Sequence, residues 1–170
     1  MVTISELKKM KALDALNDDQ LQILLPYISQ FECQAREIIY QRGHQAHNFY
    51  MLKSGKAYLE MQVTKDIEIS LTSIKPGYSF GWHALISEGT HSYTAVSDEP
   101  STILTIARND LQAIIEAHQD IGFRLMQRMC EILYHRLDHR TAQFLSILTK
   151  HPDMKELLED AVMQCVLPQF

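Results

Sequence analysis

The chain has 170 residues, 46% hydrophobic and 22% charged, with only 6 Gly and 5 Pro, which is enough for one domain with a proper core and an appended helix but too little for two full-sized domains. That composition excludes a disordered chain, and a formal net charge of −5 argues against a dedicated nucleic-acid surface, which needs clustered Lys and Arg. No apolar run approaches the ~18 residues of a membrane span, and Lys8, Lys9 and Lys11 stand where a signal peptide would carry its apolar block. A cytoplasmic location is the expectation. Cys33, Cys130 and Cys165 are odd in number, far apart and without CxxC spacing, as befits reduced thiols rather than disulfides or structural zinc.

Thr3 with Glu6, and Asn17 with Gln20, have capping-box spacing ahead of helical apolar periodicity, the second through Leu21, Ile23, Leu24 and Leu25 to Pro26. Two short helices therefore open the chain. From about Phe31 the period changes to two. Ala57, Leu59, Met61 and Val63 alternate with polar neighbours, and after a Thr64-Lys65 turn Ile67, Ile69 and Leu71 do so again, a hairpin with one wet face. Further short strands are predicted over residues 37–41, 48–53, 91–97 and 102–107, so that six or more short strands compose a small β-roll or jelly roll. Helical periodicity resumes at Asn109 and runs through His118, then from about Asp120 to Lys150.

The last helix is about 45 Å long at 1.5 Å per residue. Its stripe of Met126, Met129, Leu133, Leu137, Phe144 and Leu148 is interrupted at Arg140 and Thr141. A helix longer than the roll it packs on has apolar surface to spare, which predicts a homodimer along it. The close-approach loop is the other distinctive feature: Pro76-Gly77 and Phe80-Gly81-Trp82-His83-Ala84-Leu85, returning to strand periodicity at Ser92-Tyr93-Thr94-Ala95-Val96.

Gly43 after a strand, Phe49-Tyr50 leading to Gly55 in a Lys-Ser-Gly-Lys turn, then Pro76-Gly77 and Phe80-Gly81, together resemble the cyclic-nucleotide-binding domain of the catabolite-activator family of bacterial regulators, which includes the Fnr-like proteins. The resemblance covers about residues 13–148. It implies a double-stranded β-helix (jelly roll) flanked by N-terminal helices and a long C-terminal dimerisation helix, and a phosphate-binding cassette whose backbone amides cradle a cyclic phosphate. In this chain the cassette glycine is Gly81, and Ala84 and Leu85 fit the turn after it. The ribose-binding Glu position is Trp82, and the phosphate-binding Arg position is Ser92, or His91 with a shift of one. No Arg occurs between Arg42 and Arg108, so register cannot supply one. Losing that charge-assisted contact costs on the order of 2–5 kcal/mol in a buried site, which leads to the expectation of weak cyclic-nucleotide binding or a different small-molecule effector.

The ligand-binding set expected on this reading is Phe80, Gly81, Trp82, His83, Ala84, Leu85, His91, Ser92 and Tyr93, with Arg140 and Thr141 from the long helix. Trp82 either walls a redesigned pocket or fills it. His83 with His91, His44 with His47, and His135 with His139 are pairs that a metal could use, but loop pairs of this kind more often bind none, the helical pair shows no third ligand nearby in sequence, and no metal is expected. The expected organisation is 1–118 for the helices and roll, 119–150 for the dimerisation helix and 151–170 for a short amphipathic tail, without a DNA-reading domain. The expected function is a non-enzymatic, stand-alone sensor or regulatory module in signal transduction, with the tail open to a protein partner. The alternatives are a cupin-like metal-dependent jelly-roll enzyme and a structural dimer with a non-binding pocket.

Overall fold

In the computed structural model, residues 2–65, 67–85 and 89–150 are described. The chain divides into two compact units, Met1–Arg128 and Met129–Phe170. Both predicted capping boxes are present. Thr3 caps α1 (Ile4–Leu7) and Asn17 caps α2 (Asp18–Leu24), each exchanging hydrogen bonds with the residue three further on. Pro26 then tightens the chain into a single 3₁₀ turn, Leu25–Tyr27.

Among the described residues eight strands follow: β1 (Ile28–Cys33), β2 (Ile38–Tyr40), β3 (Asn48–Ser54), β4 (Ala57–Gln62), β5 (Glu68–Ile74), β6 (Ser79–Phe80), β7 (Thr94–Ser97) and β8 (Ser101–Ala107). They form two four-stranded sheets, ordered β1-β8-β3-β6 and β2-β7-β4-β5, with every named pairing antiparallel. This is the expected jelly roll. The predicted 91–97 strand begins only at Thr94, and β1 and β6 add strands that periodicity did not show. Helix α3 (Arg108–Ala117) closes the roll and stops at His118, whose φ of −130° and ψ of 78° break the helix before α4 (Gln119–Lys150). The predicted tail, 151–170, lies outside the described residues.

Consecutive strand residues face opposite ways, and β3 uses both directions. Tyr50 and Leu52 point into the roll with Cys33, Ala57, Ile74, Phe80, Ala95 and Ile103, while Phe31, Ile39, Tyr40, Leu59 and Tyr78 pack around them. Phe49 and Met51 are buried on the other face, in register with Ile106 and Leu104 of β8. Gly55 makes the β3–β4 turn possible. Its φ is +86°, and a Cβ there would stand 2.7 Å from the Pro100 carbonyl oxygen, closer than a side chain can approach.

Candidate functional site

The close-approach loop folds as a cassette turn. Gly81 has a φ of +71°, and a Cβ on it would meet the Tyr50 ring at 2.6 Å. The backbone then makes a 3₁₀ turn over Trp82–Leu85, with the Ala84 amide donating to the Gly81 carbonyl at 3.1 Å. Ahead of it Phe80 is buried on β6 and stacks on Tyr50, the rings 5.3 Å apart and 18° from parallel. Ala84 is buried; Trp82, His83 and Leu85 are half-buried.

Trp82 turns away from the roll interior. Its ring meets Phe49 edge-on at 5.8 Å, and its indole N–H donates to the Ser79 carbonyl at 3.1 Å. Since Phe49 and Tyr50 lie on opposite faces of β3, the indole belongs to the helix-side layer. His83 Nε2 stands 2.9 Å from the Ser92 hydroxyl, which ties the cassette turn to its return segment at the position where the resemblance places an Arg. Tyr93 is exposed.

The space inside the roll is taken by Tyr40. Its ring stacks on His91 with centroids 3.6 Å apart and planes 10° from parallel, and it also touches Tyr50 at 5.3 Å and Phe80 at 6.0 Å. Burial first, and then the neighbouring Tyr50, hold its phenol well above its usual pKa. The ring next to the cassette glycine is therefore supplied by the chain itself. Sequence reasoning did not single out Tyr40. The signal that could have found it is an aromatic beside Gly43 in a strand expected to face the roll.

His91 is 3% exposed. Burial first, and then the charges of His83, His44 and His47, lower its pKa to about 4, so it is neutral near pH 7. Its backbone is locked to the 41–47 loop: the Gly43 amide donates to the His91 carbonyl at 2.8 Å, the His91 amide to the His44 carbonyl at 2.9 Å, and Gln45 bridges Thr90. This ribbon lines a cavity of about 490 Å³ with Tyr40, Tyr50, Asn48 and the side chains of the loop. Of the expected ligand-binding residues only His91 lines it. Among the described residues no three His, Cys, Asp or Glu side chains are placed to share a metal ion. Arg140 and Thr141 lie on the exposed part of α4 in the second unit, where Arg140 Nη1 donates to Gln143 at 3.3 Å and the Thr141 hydroxyl to the Leu137 carbonyl at 3.0 Å.

A cyclic nucleotide-binding domain family model matches residues 30–118, just over half of the chain. A curated relative, a cGMP-dependent protein kinase of Eimeria tenella, is 25% identical over 118 residues, covering 69% of this chain and 11% of the kinase. The chain thus spans about a tenth of that relative's length. Among solved structures, a cyclic nucleotide-binding domain from Methylobacillus flagellatus superposes with a TM-score of 0.74 at 11% identity, covering 87% of this chain and 88% of its own. The catabolite activator protein of Thermus thermophilus superposes with a TM-score of 0.67 at 24% identity, covering 82% of this chain and 63% of its own. These likenesses establish the fold. The glycine frame, the jelly roll and the matched segment agree, and the chain belongs to the cyclic nucleotide-binding domain family.

Proposed function

We propose that this chain is a non-enzymatic sensor or regulatory module that works as a homodimer through α4 and binds cyclic nucleotides only weakly. The observation that carries the reading is the Tyr40 ring, stacked on His91 and packed against Tyr50 and Phe80 beside the cassette turn. A cyclic phosphate would have to displace that phenol and its stack on His91 while gaining neither a carboxylate at Trp82 nor a guanidinium at Ser92. Ligand at the cassette would act by shifting a population, favouring whichever arrangement of the turn it binds best. Arg140 and Thr141 enter this reading through their place on α4, the element that would carry the output.

The dimer draws on the pattern of α4. Positions 123, 126, 130, 133, 137, 140, 144 and 147 recur at alternating steps of three and four, occupied by Phe, Met, Cys, Leu, Leu, Arg, Phe and Ile, and all eight are exposed. That is the spacing of a coiled-coil seam, with Arg140 as its one charged member.

A thermal-shift titration tests the ligand half, because a native-state ligand raises the melting temperature by mass action. Cyclic AMP and cyclic GMP are expected to shift the melting temperature only at millimolar concentration. A shift saturating at micromolar concentration or below would show that Tyr40 yields without cost and would overturn the weak-binding reading.

A further inference from the structure

The cavity beside the 41–47 loop is lined by nine residues, Ile39, Tyr40, Gln41, His44, Gln45, His47, Asn48, Tyr50 and His91. Among the described residues that line it none is Lys, Arg, Asp or Glu, in a chain where 22% of residues are. No fixed charge among these described residues answers a phosphate or an ammonium group. What the wall offers is hydrogen bonding of both senses from amides, phenols and imidazoles.

Two further observations bear on what fits. Tyr40 and His91 stack face to face at 3.6 Å, so the wall carries aromatic rings as well as amides. His91 is buried, and its Nδ1 has no hydrogen-bond partner among the described residues. A buried ring nitrogen left unpaired is destabilising, and such groups call for a missing partner. Around 490 Å³ is room for a small heteroaromatic molecule.

We infer that this cavity is a binding site for a small, uncharged, planar heteroaromatic ligand, held by the amide and imidazole edges of the 41–47 loop and completed by His91. The site lies beside the cassette rather than in it, since no residue of the Phe80–Leu85 run lines it. The inference depends neither on dimerisation nor on weak cyclic-nucleotide binding. An imidazole that takes up a proton would add a positive charge to the donors of the wall, and the groups facing His91 are His83, His44, His47, Tyr40 and Tyr50. Anion binding would therefore strengthen on acidification, whereas binding of a neutral ring would not.

Isothermal titration with four probes decides the matter: adenine and nicotinamide as neutral rings, nicotinate as the charged counterpart of nicotinamide, and inorganic phosphate as an anion without a ring. Saturable binding of a neutral ring is expected, changing less than about threefold between about pH 6 and about pH 8. His91→Phe keeps a ring in the stack and removes the nitrogen, and it should weaken that binding by about tenfold or more. Its melting temperature at neutral pH serves as the check on folding. The exposed pair His44→Ala, His47→Ala should do likewise without touching the core. The inference is overturned if neither neutral ring binds, if nicotinate or phosphate binds more tightly than nicotinamide with affinity rising toward acid, or if these variants leave neutral-ring affinity unchanged.

Discussion

His91 is held as a neutral ring by where it sits. Tyr40 covers one face at 3.6 Å, burial strips its hydration, and protonation would set it against His83, His44 and His47, so that its pKa falls to about 4. In an unfolded chain the same imidazole takes up its proton near pH 6.5. Between those two values the unfolded state binds more protons than the folded one, so stability is complete above about pH 6.5 and is lost as the pH falls toward 4. The full shift corresponds to about 3 kcal/mol. His91→Phe, which cannot titrate, should flatten that part of the acid side of the stability profile. Chemical denaturation at a series of pH values checks this, and an unchanged slope between pH 6.5 and 4 would place the acid sensitivity elsewhere. The same residue shows what could be read in advance and what could not. His91 and Ser92 fell into the candidate set because they sit at fixed steps from Gly81 along the chain. The cavity did not, because His44, His47 and Asn48 reach it through the pairing of the 41–47 loop with residues 89–91, a contact that sequence spacing does not encode.

Elements with a local cause were legible, and those with a distant one were not. The β4–β5 hairpin follows from strict alternation, and α1 and α2 from their capping boxes. In β1 only Ile28 and Cys33 are buried, five residues apart, so no period of two appears. It is a strand because β8 pairs with all six of its residues. In β2 a bulge between Ile38 and Tyr40 shifts the register against β7, and both Ile39 and Tyr40 pack on the roll core. A bulge re-aims side chains without leaving a periodic mark, which is why Tyr40 was invisible as the occupant of the cassette. The capping box of α2 carries a prediction at this scale. Asn17 Oδ1 accepts from the Gln20 amide at 2.9 Å, Gln20 Oε1 accepts from the Asn17 amide at 3.0 Å, and Gln20 Nε2 donates to Asp120 at 2.7 Å. Asn17→Ala should cost about 1 kcal/mol and Asn17→Gly only a few tenths, because glycine retains the cap backbone. No loss in either variant in a urea titration would mean that the cap side chain contributes nothing.

At the scale of the whole molecule, the exposed side of α4 sets the expected assembly. Leu137 is 68% exposed and Phe144 60% exposed, with Phe123, Leu133 and Ile147 also open to solvent on the same seam. Leaving so many large apolar side chains in water forgoes about 25 cal/mol for every Å² that a partner helix could cover. A second copy offers the same alternating three-and-four pattern and needs no other protein to supply it. The chain is therefore expected to sediment as a dimer at micromolar concentration. Leu137→Glu with Phe144→Glu places like charges along the seam and should convert the dimer to a monomer, with a lower, concentration-independent melting temperature. Leu145→Glu, at an exposed apolar position outside the three-and-four pattern, is the matched control and should leave the dimer intact. Cys130 is exposed and falls on a seam position, so mild oxidation should cross-link the dimer in the parental chain and not in the double variant. A parental chain that sediments as a monomer, or a Leu145→Glu variant that dissociates as readily as the double variant, would remove the seam as the dimer interface.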